Sequence, residues 1–374
     1  MFGKLILKHL FVLGLTLMVC LPGFIKAQEE KSEYAPLLTP PRGYVCYRTT
    51  QPVKIDGVLD EKSWQYAPWT ENFCDISGAG FPTPYYNTRA KLLWNSDNLY
   101  IAAEMEEGNI WAFQKQHDDI VWHDPDFEVF IDPKGDGHNY FEIEVNALGT
   151  VFDLSLEAPY RSKIRPFVQF QYNAPGLEVG IQRAGTLNHP QDKDKEWIVE
   201  MKIPRQALAS EFDDYLKKGA YLRLDFSRVE WQVSMGKNDE IVKKTDSTGK
   251  QLPEENWVWS PTGRIDMHMP ERWGYVYLSD QISGSGTETF AYPKDESARR
   301  FLWRLFYGQE THYRKTHTYL KHLEDFHLTK AEMGLLPEKS RVDIETTSHA
   351  YEINLSMPDG SLLAIDDTGR CFYR

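Results

Sequence analysis

Two alternating segments around one acidic turn constrain this chain more than any other feature. In Asp126–Ile131, Phe127, Val129 and Ile131 share one face; in Tyr140–Val145, Phe141, Ile143 and Val145 share another. Side chains of a strand point alternately to its two faces, so this pattern marks a β-hairpin with one buried side. The turn between them is rich in Gly and Asp. The opposite faces carry Asp126, Glu128, Glu142, Glu144 and Asn146, and Trp122 stands just before them. Like charges facing each other across strands repel. Four carboxylates there need compensation from basic neighbours, a metal, or a ligand rich in hydroxyl donors.

The same alternation recurs along the chain. A hairpin is expected over 88–94 and 99–105, with Asn95–Asn98 at its turn and Trp94 in the core. Further strands are expected at 150–157, 167–171, 177–182 and 196–203, and over AYLRLDFSRVEW, where Leu222, Leu224 and Phe226 point inward. NWVWSP and WGYVYLSD close the series. Asp60 suits the cap of a short helix around Trp64, and Pro204 the first turn of a short helix over 204–218. Many short strands with almost no long helix predict a mainly β protein, an antiparallel β-sandwich over residues 45–281. A Ser/Gly/Thr-rich linker, 282–294, precedes a smaller α+β extension, 295–374. There, Phe301, Leu305, Tyr313, Leu320 and Leu323 suit a long amphipathic helix, and Asp359-Gly360 the turn of a final hairpin.

Residues 1–27 have the form of a secretory signal: Lys4 and Lys8, an apolar run from Leu10 to Leu21, and a small residue at Ala27. A lipid-anchored variant would use Cys20, but Val19 stands where a small residue is wanted. The expected destination is secreted, periplasmic or cell-surface, and residues 28–44 read as an extended arm. Removing Lys4, Lys8 and Lys26 takes the formal net charge from −13 to −16. So acidic a protein repels nucleic acid and anionic lipid surfaces and suits a neutral ligand or a cation. Cys46 and Cys74 would be free to bridge in an oxidising compartment, although nothing in their spacing demands it. Aromatic content is 13%, with 11 Trp, more than a core usually needs, so part of it is expected on a binding surface.

Seven stretches, taken together and in order, resemble the family 9 carbohydrate-binding modules in the free-standing form of Bacteroidetes-type secreted proteins. They are IDGVLDEKSWQYA, LLWNSDNLYIAAEM, DPDFEVFIDPKGDGHNYFEIEVNALGTVFD, WIVEMKIP, LRLDFSRVEW, NWVWSP and MPERWGYV. The resemblance implies a β-sandwich that grips the end of a sugar or glycan chain between two tryptophans, with carboxylates and amides on the hydroxyls. It implies Trp122 and Trp259 as the walls, with Trp111 as the second choice for one. Glu128 and Asn256 would contact hydroxyls, with Glu142, Glu144 and Asn146 beside them on the acidic face. Trp257, next to Trp259 in its strand, is taken to point the other way. Aromatic faces suit the C–H faces of a pyranose, and charged acceptors suit its hydroxyl rim.

No cofactor is required by this reading. A structural calcium ion has one turn available, on Asp132 and Asp136 with His138 or Asn139, since oxygen ligands in a Gly-containing loop suit calcium; a metal-free Asp/Gly turn is the commoner explanation. Two other classes stay open. Glu128 with Glu142 or Glu144 would suit a glycoside hydrolase, because cross-strand carboxylates reach the spacing such enzymes use. The extension 295–374 would suit a surface scaffold that recruits a protein partner.

Overall fold

The computed structural model describes residues 34–163, 167–208 and 215–374. The expected leader, with Cys20, lies outside the described residues, as do residues 28–33 of the arm and 209–214 of the helix expected over 204–218. Of that helix, Arg205–Ala207 forms a 3-10 turn, and residues 215–218 are not helical. Among the described residues, no helix is long and apolar enough to cross a membrane.

Among the described residues the sandwich around the acidic hairpin has thirteen strands: two of only two residues, Cys74–Asp75 and Val168–Gln169, and eleven longer ones, β1 Gly43–Arg48, β2 Thr88–Trp94, β3 Asn98–Glu106, β4 Asp126–Asp132, β5 Tyr140–Asn146, β6 Val151–Leu156, β7 Glu178–Ala184, β8 Glu196–Pro204, β9 Tyr221–Glu230, β10 Glu255–Val258 and β11 Gly274–Ile282. They hydrogen-bond in the order β6-β5-β4-β9-β11-β1-β2-β3-β8-β7, with β10 also on β9. The sheet doubles over, and apolar faces from both halves meet. Phe127, Val129 and Ile131 of β4 join Leu222, Leu224 and Phe226 of β9, Leu92 of β2, Ile101 of β3 and Val199 of β8 in one buried cluster.

The sandwich agrees with the sequence, and its pairing is antiparallel except at β1. Residues 43–46 of β1 run parallel to β11, and Tyr47 and Arg48 run parallel to β2, with a register break between Cys46 and Arg48. Hairpins force neighbouring strands to be antiparallel. β1 joins its neighbours through no hairpin, so its direction is set by the two sheet halves that it bridges. Cys46 and Cys74 are free thiols rather than a bridge.

The extension is a helix and a small sheet packed on their own core. The helix Glu296–Thr316 ends where His317 adopts a left-handed φ of 56°, short of Leu320 and Leu323. Those two pack against the same cluster from the following loop. Four antiparallel strands follow, β12 Arg341–Thr346, β13 Tyr351–Ser356, β14 Leu362–Asp366 and β15 Cys371–Tyr373. The arm joins this core: Leu37 is buried in it, and the Arg304 guanidinium lies 3.8 Å from the Tyr34 ring centroid.

The extension docks on the β4–β5 turn. Arg299 donates to the Gly135 carbonyl at 3.0 Å, the Cys371 N–H to the Asp136 carbonyl at 2.8 Å, and Arg370 to the Asp136 carboxylate at 3.0 Å. Gly137, at φ 89°, lets the turn approach closely, since a Cβ there would meet the Gly369 carbonyl at 3.1 Å. Residues 283–294 also lie along the sandwich. Tyr292 donates to the Pro41 carbonyl, and the Phe290 ring fills the space beside Gly43.

On the far half, buried Glu200 accepts from the Trp64 indole at 2.7 Å and from the N–H groups of Asp56 and Gly57. An unpaired buried donor costs about 1–3 kcal/mol. Glu200→Ala is therefore expected to destabilise the fold by about 3 kcal/mol or more in urea unfolding. A loss below about 1 kcal/mol would contradict this role.

Candidate functional site

The solvent-side face of the hairpin opens into a groove of about 600 Å³, within the size range of small-molecule sites. Strand alternation supplies its floor. Phe127 and Val129 enter the inter-sheet core, so Glu128 and Phe130 face the groove, as do Glu142 and Glu144 from β5. In the register Glu128 stands opposite Glu144, and Asp126 opposite Asn146. Asn256 of β10 pairs with Val229 of β9, and both line the groove. Among the described residues the Asn256 side-chain amide has no protein hydrogen bond.

Loops complete the walls. Trp122 sits in the 3-10 turn Val121–His123 and is 37% exposed at the groove. Its backbone is anchored, since the Trp231 indole donates to the Trp122 carbonyl at 3.1 Å. Tyr160 and Phe170, both largely exposed, line the same groove, together with Phe152, Ile265, Met267 and His268. Beneath this loop a second apolar cluster of Phe130, Tyr140, Leu154 and Trp273 backs the site.

Burial dominates the electrostatics. It pushes Glu128 up to about 7. It pushes Glu142 up to about 8, with help from the Glu128 charge. Glu144 is also raised, by burial and then by the charges of Glu128, Glu142 and Asp126. Burial, followed by the Arg161 charge, depresses His268 to about 4, so it is neutral near pH 7. Its Nε2 lies 3.9 Å from Glu142, and its Nδ1 is 2.8 Å from the Tyr140 hydroxyl. The floor is thus rich in acceptors, with Trp122 at its rim. Such a surface suits a neutral, hydroxyl-rich molecule with an apolar face.

The structure brings Trp122, Glu128, Glu142, Glu144 and Asn256 together and removes the other expected residues. Trp259 is fully buried in the inter-sheet core, edge-on to Tyr44, and its indole donates to Glu71 at 3.0 Å. Residues two apart in a strand share a face. Trp257 and Trp259 therefore both point inward, and Asn256 and Val258 point out. Gly274 makes room for the Trp259 ring, which a Cβ there would meet at 2.3 Å.

Trp111 is likewise no wall. It is buried behind Val229 and against Trp231 and does not itself line the groove. Asn146 is fully buried and spent on its own corner. Its amide donates to the Gln114 carbonyl and the Asp124 carboxylate, and its oxygen accepts from the N–H groups of Leu148 and Thr150.

Asp132 and Asp136 do not fit a calcium ion. Asp132 accepts from the N–H groups of Lys134, Gly135 and Gly137; Asp136 accepts from the His138 N–H and from Arg370. Those donors take the oxygens a cation would need. Of the other two, His138 Nε2 lies 3.2 Å from the Thr368 hydroxyl while its buried Nδ1 has no partner, and Asn139 serves the turn with φ 52°.

Sequence reasoning missed Tyr160, Phe170 and His268. Tyr160 lies in a Pro-punctuated loop without periodicity, and Phe170 lies in the strand expected over 167–171, of which only Val168–Gln169 forms, leaving Phe170 in the turn after it. His268 carried no signal, since its neighbours come from distant strands.

Residues 55–281 match the family model described as "Carbohydrate family 9 binding domain-like", and the chain belongs to that family. No curated protein matches it. Among solved structures, a Bacteroides uniformis ATCC 8492 protein provisionally assigned as carbohydrate-binding is similar at 16% identity and a TM-score of 0.47, over 64% of this chain and 100% of its own. A family 9 carbohydrate-binding module from Caldicellulosiruptor kristjanssonii in complex with cellotriose is similar at 16% identity and 0.40, over 67% and 100%. A module of the same family and organism in complex with glucose is similar at 17% and 0.38, over 66% and 100%.

The raised carboxylates fix a pH dependence. A carboxyl whose pKa is higher folded than unfolded binds more protons in the folded state between the two values, so stability falls as pH rises across that window. For Glu128 and Glu142 it runs from the ordinary 4.5 to about 7 and 8. Their contribution is complete below about pH 4.5 and lost by about pH 8. In chelator-treated protein without sugar, the Tm is expected to fall from pH 5 to pH 8, and Glu142→Gln is expected to flatten that slope. A Tm that rises over this range would contradict the assignment.

Proposed function

We propose that the groove binds the end of a sugar or glycan chain without cleaving it. Trp122 covers a C–H face of the ring, Glu128 and Glu142 accept from its hydroxyls, and Asn256 offers an amide. The observation that carries this reading is an anchored, part-exposed tryptophan beside a floor of buried acceptors. Membership of a carbohydrate-binding family supports it. Tyr160 or Phe170 takes the part of second wall that Trp259 cannot. The leader-like start of the chain supports secretion, and a secreted sugar binder serves the capture or catabolism of extracellular polysaccharide. The acidic balance argues against nucleic acid as a partner. A protein partner for residues 295–374 would have to use surface outside the helix's apolar face, which is spent on the extension's own core.

A second reading has one observation in its favour. Glu128, raised to about 7, stands beside Glu144, with carboxyl oxygens within 4.8 Å, close to the roughly 5–5.5 Å of retaining glycosidases. Turnover of aryl glycosides that Glu128→Gln abolishes would establish hydrolysis in place of binding.

The binding reading is tested by titration calorimetry after a glycan screen, with glucose and cellotriose, the ligands of the Caldicellulosiruptor complexes, as first probes. Trp122→Ala is expected to weaken affinity at least tenfold, about 1.4 kcal/mol, with an unchanged Tm. Trp259→Ala is expected to cost about 3–5 kcal/mol of stability. Sugar affinity unaffected by Trp122→Ala would overturn the site.

A further inference from the structure

Asp126, Glu128 and Glu144 bring three carboxylates to one point of the groove floor. One oxygen of each lies within 4.8 Å of the other two. All three residues are buried, at 0%, 5% and 2% exposure. Asp126 Oδ1 accepts from the Val229 N–H at 3.0 Å, but Asp126 Oδ2 and Glu144 Oε2 have no hydrogen-bond partner.

A group outside the acidic trio points to the same place. Ser227 lies directly across from Glu128 in the β9–β4 register and is fully buried. Its hydroxyl has no hydrogen-bond partner, and directly opposite residues of an antiparallel pair place their side chains on one face with Cβ atoms about 4.5–5.5 Å apart, so it is set beside the Glu128 carboxylate. Buried acceptors and hydroxyls without partners are rare in folded proteins and costly.

The nearby cations among the described residues are committed elsewhere, Lys243 donating to the His123 carbonyl at 2.7 Å. Asp124 and Glu142 add negative charge to the cluster, and His268 is kept neutral. Arg228 is committed to Glu107 and Glu230 at 2.9 and 2.6 Å, and Arg223 to the carbonyls of Pro270 and Glu271. No salt bridge to Asp126, Glu128 or Glu144 occurs among the described residues.

The donor set selects the ion. Zinc prefers nitrogen and sulfur, and magnesium demands a tight octahedron. Calcium takes 6–8 oxygens at about 2.3–2.6 Å in flexible geometry. An ion seated between three oxygens no more than 4.8 Å apart falls near that distance.

We propose that Asp126, Glu128 and Glu144, with the Ser227 hydroxyl, hold a calcium ion on the groove floor, and that vicinal hydroxyls of the bound sugar complete its coordination. The second half rests on the sugar-binding reading; the ion site does not. Three protein carboxylates leave several of calcium's positions to water. Glu128 and Glu144 line the groove, so those positions open where a sugar would lie. Displacing two waters by a chelating pair of hydroxyls keeps every oxygen contact of the ion.

The test is calcium chloride titrated calorimetrically into the chelator-treated full chain, without sugar, at pH 8. Wild type is expected to bind one calcium ion, with a rise in Tm, and Asp126→Asn and Glu144→Gln are expected to lose both. Each substitution removes charge repulsion, so both variants are expected to match or exceed the wild-type Tm in EDTA, which separates a lost site from a lost fold. A wild type that takes up no calcium, or variants that bind like wild type, would overturn the ion site. Sugar affinity is then measured with calcium and with EDTA. A loss of tenfold or more in EDTA supports chelation by the sugar, and equal affinity overturns it. A chain that binds calcium but no sugar in either condition supports the ion site and refutes the sugar-binding reading.

Discussion

Taking a carboxylate out of water is expensive unless something replaces its hydration. Four on one hairpin face is the constraint from which the rest of this structure follows. Phe127, Val129 and Ile131 must enter the inter-sheet core, and alternation then commits Glu128 and its neighbours to the other face. Most solvent-side sheet faces keep their charges wet. Here the 260–273 loop, Trp122 and the β6 side chains enclose them, so that the carboxyls hold protons well above the ordinary range. The groove is the exit from that predicament: its acceptors need an occupant that brings hydroxyl protons or positive charge.

The turn at the other end of the hairpin resolves its acids differently. Asp132 spends its oxygens on the N–H groups of the turn, and Asp136 takes Arg370 from the extension. Residues that look alike in the sequence thus play opposite parts. One set closes a loop and docks the C-terminal element, while the other stays open to the groove. The difference lies in backbone conformation, since Gly135 and Gly137 at positive φ aim N–H groups inward at Asp132.

The sandwich and the acidic floor were legible because alternation is a local signal that the core enforces. The hairpin, Glu128, Glu142 and Glu144 followed from it, whereas Trp122 and Asn256 were implied by the family resemblance. Trp259 failed on parity: it lies three residues from Asn256, so the two cannot share a face of one strand. Asn146 failed because its corner hydrogen bonds depend on Gln114 and Asp124, distant in sequence. The parallel direction of β1 and the docking of the extension depend on contacts between segments tens to hundreds of residues apart, and no local pattern encodes them.

On the proposed reading Trp122, and not Trp259, meets the ligand. The most direct measurement is an NMR titration of the indole N–H resonances with the sugar found in the screen. The Trp122 resonance should move in proportion to saturation, and the Trp259 resonance, held to Glu71 inside the core, should stay in place. A Trp259 or Trp111 resonance that moves while that of Trp122 does not would contradict the site.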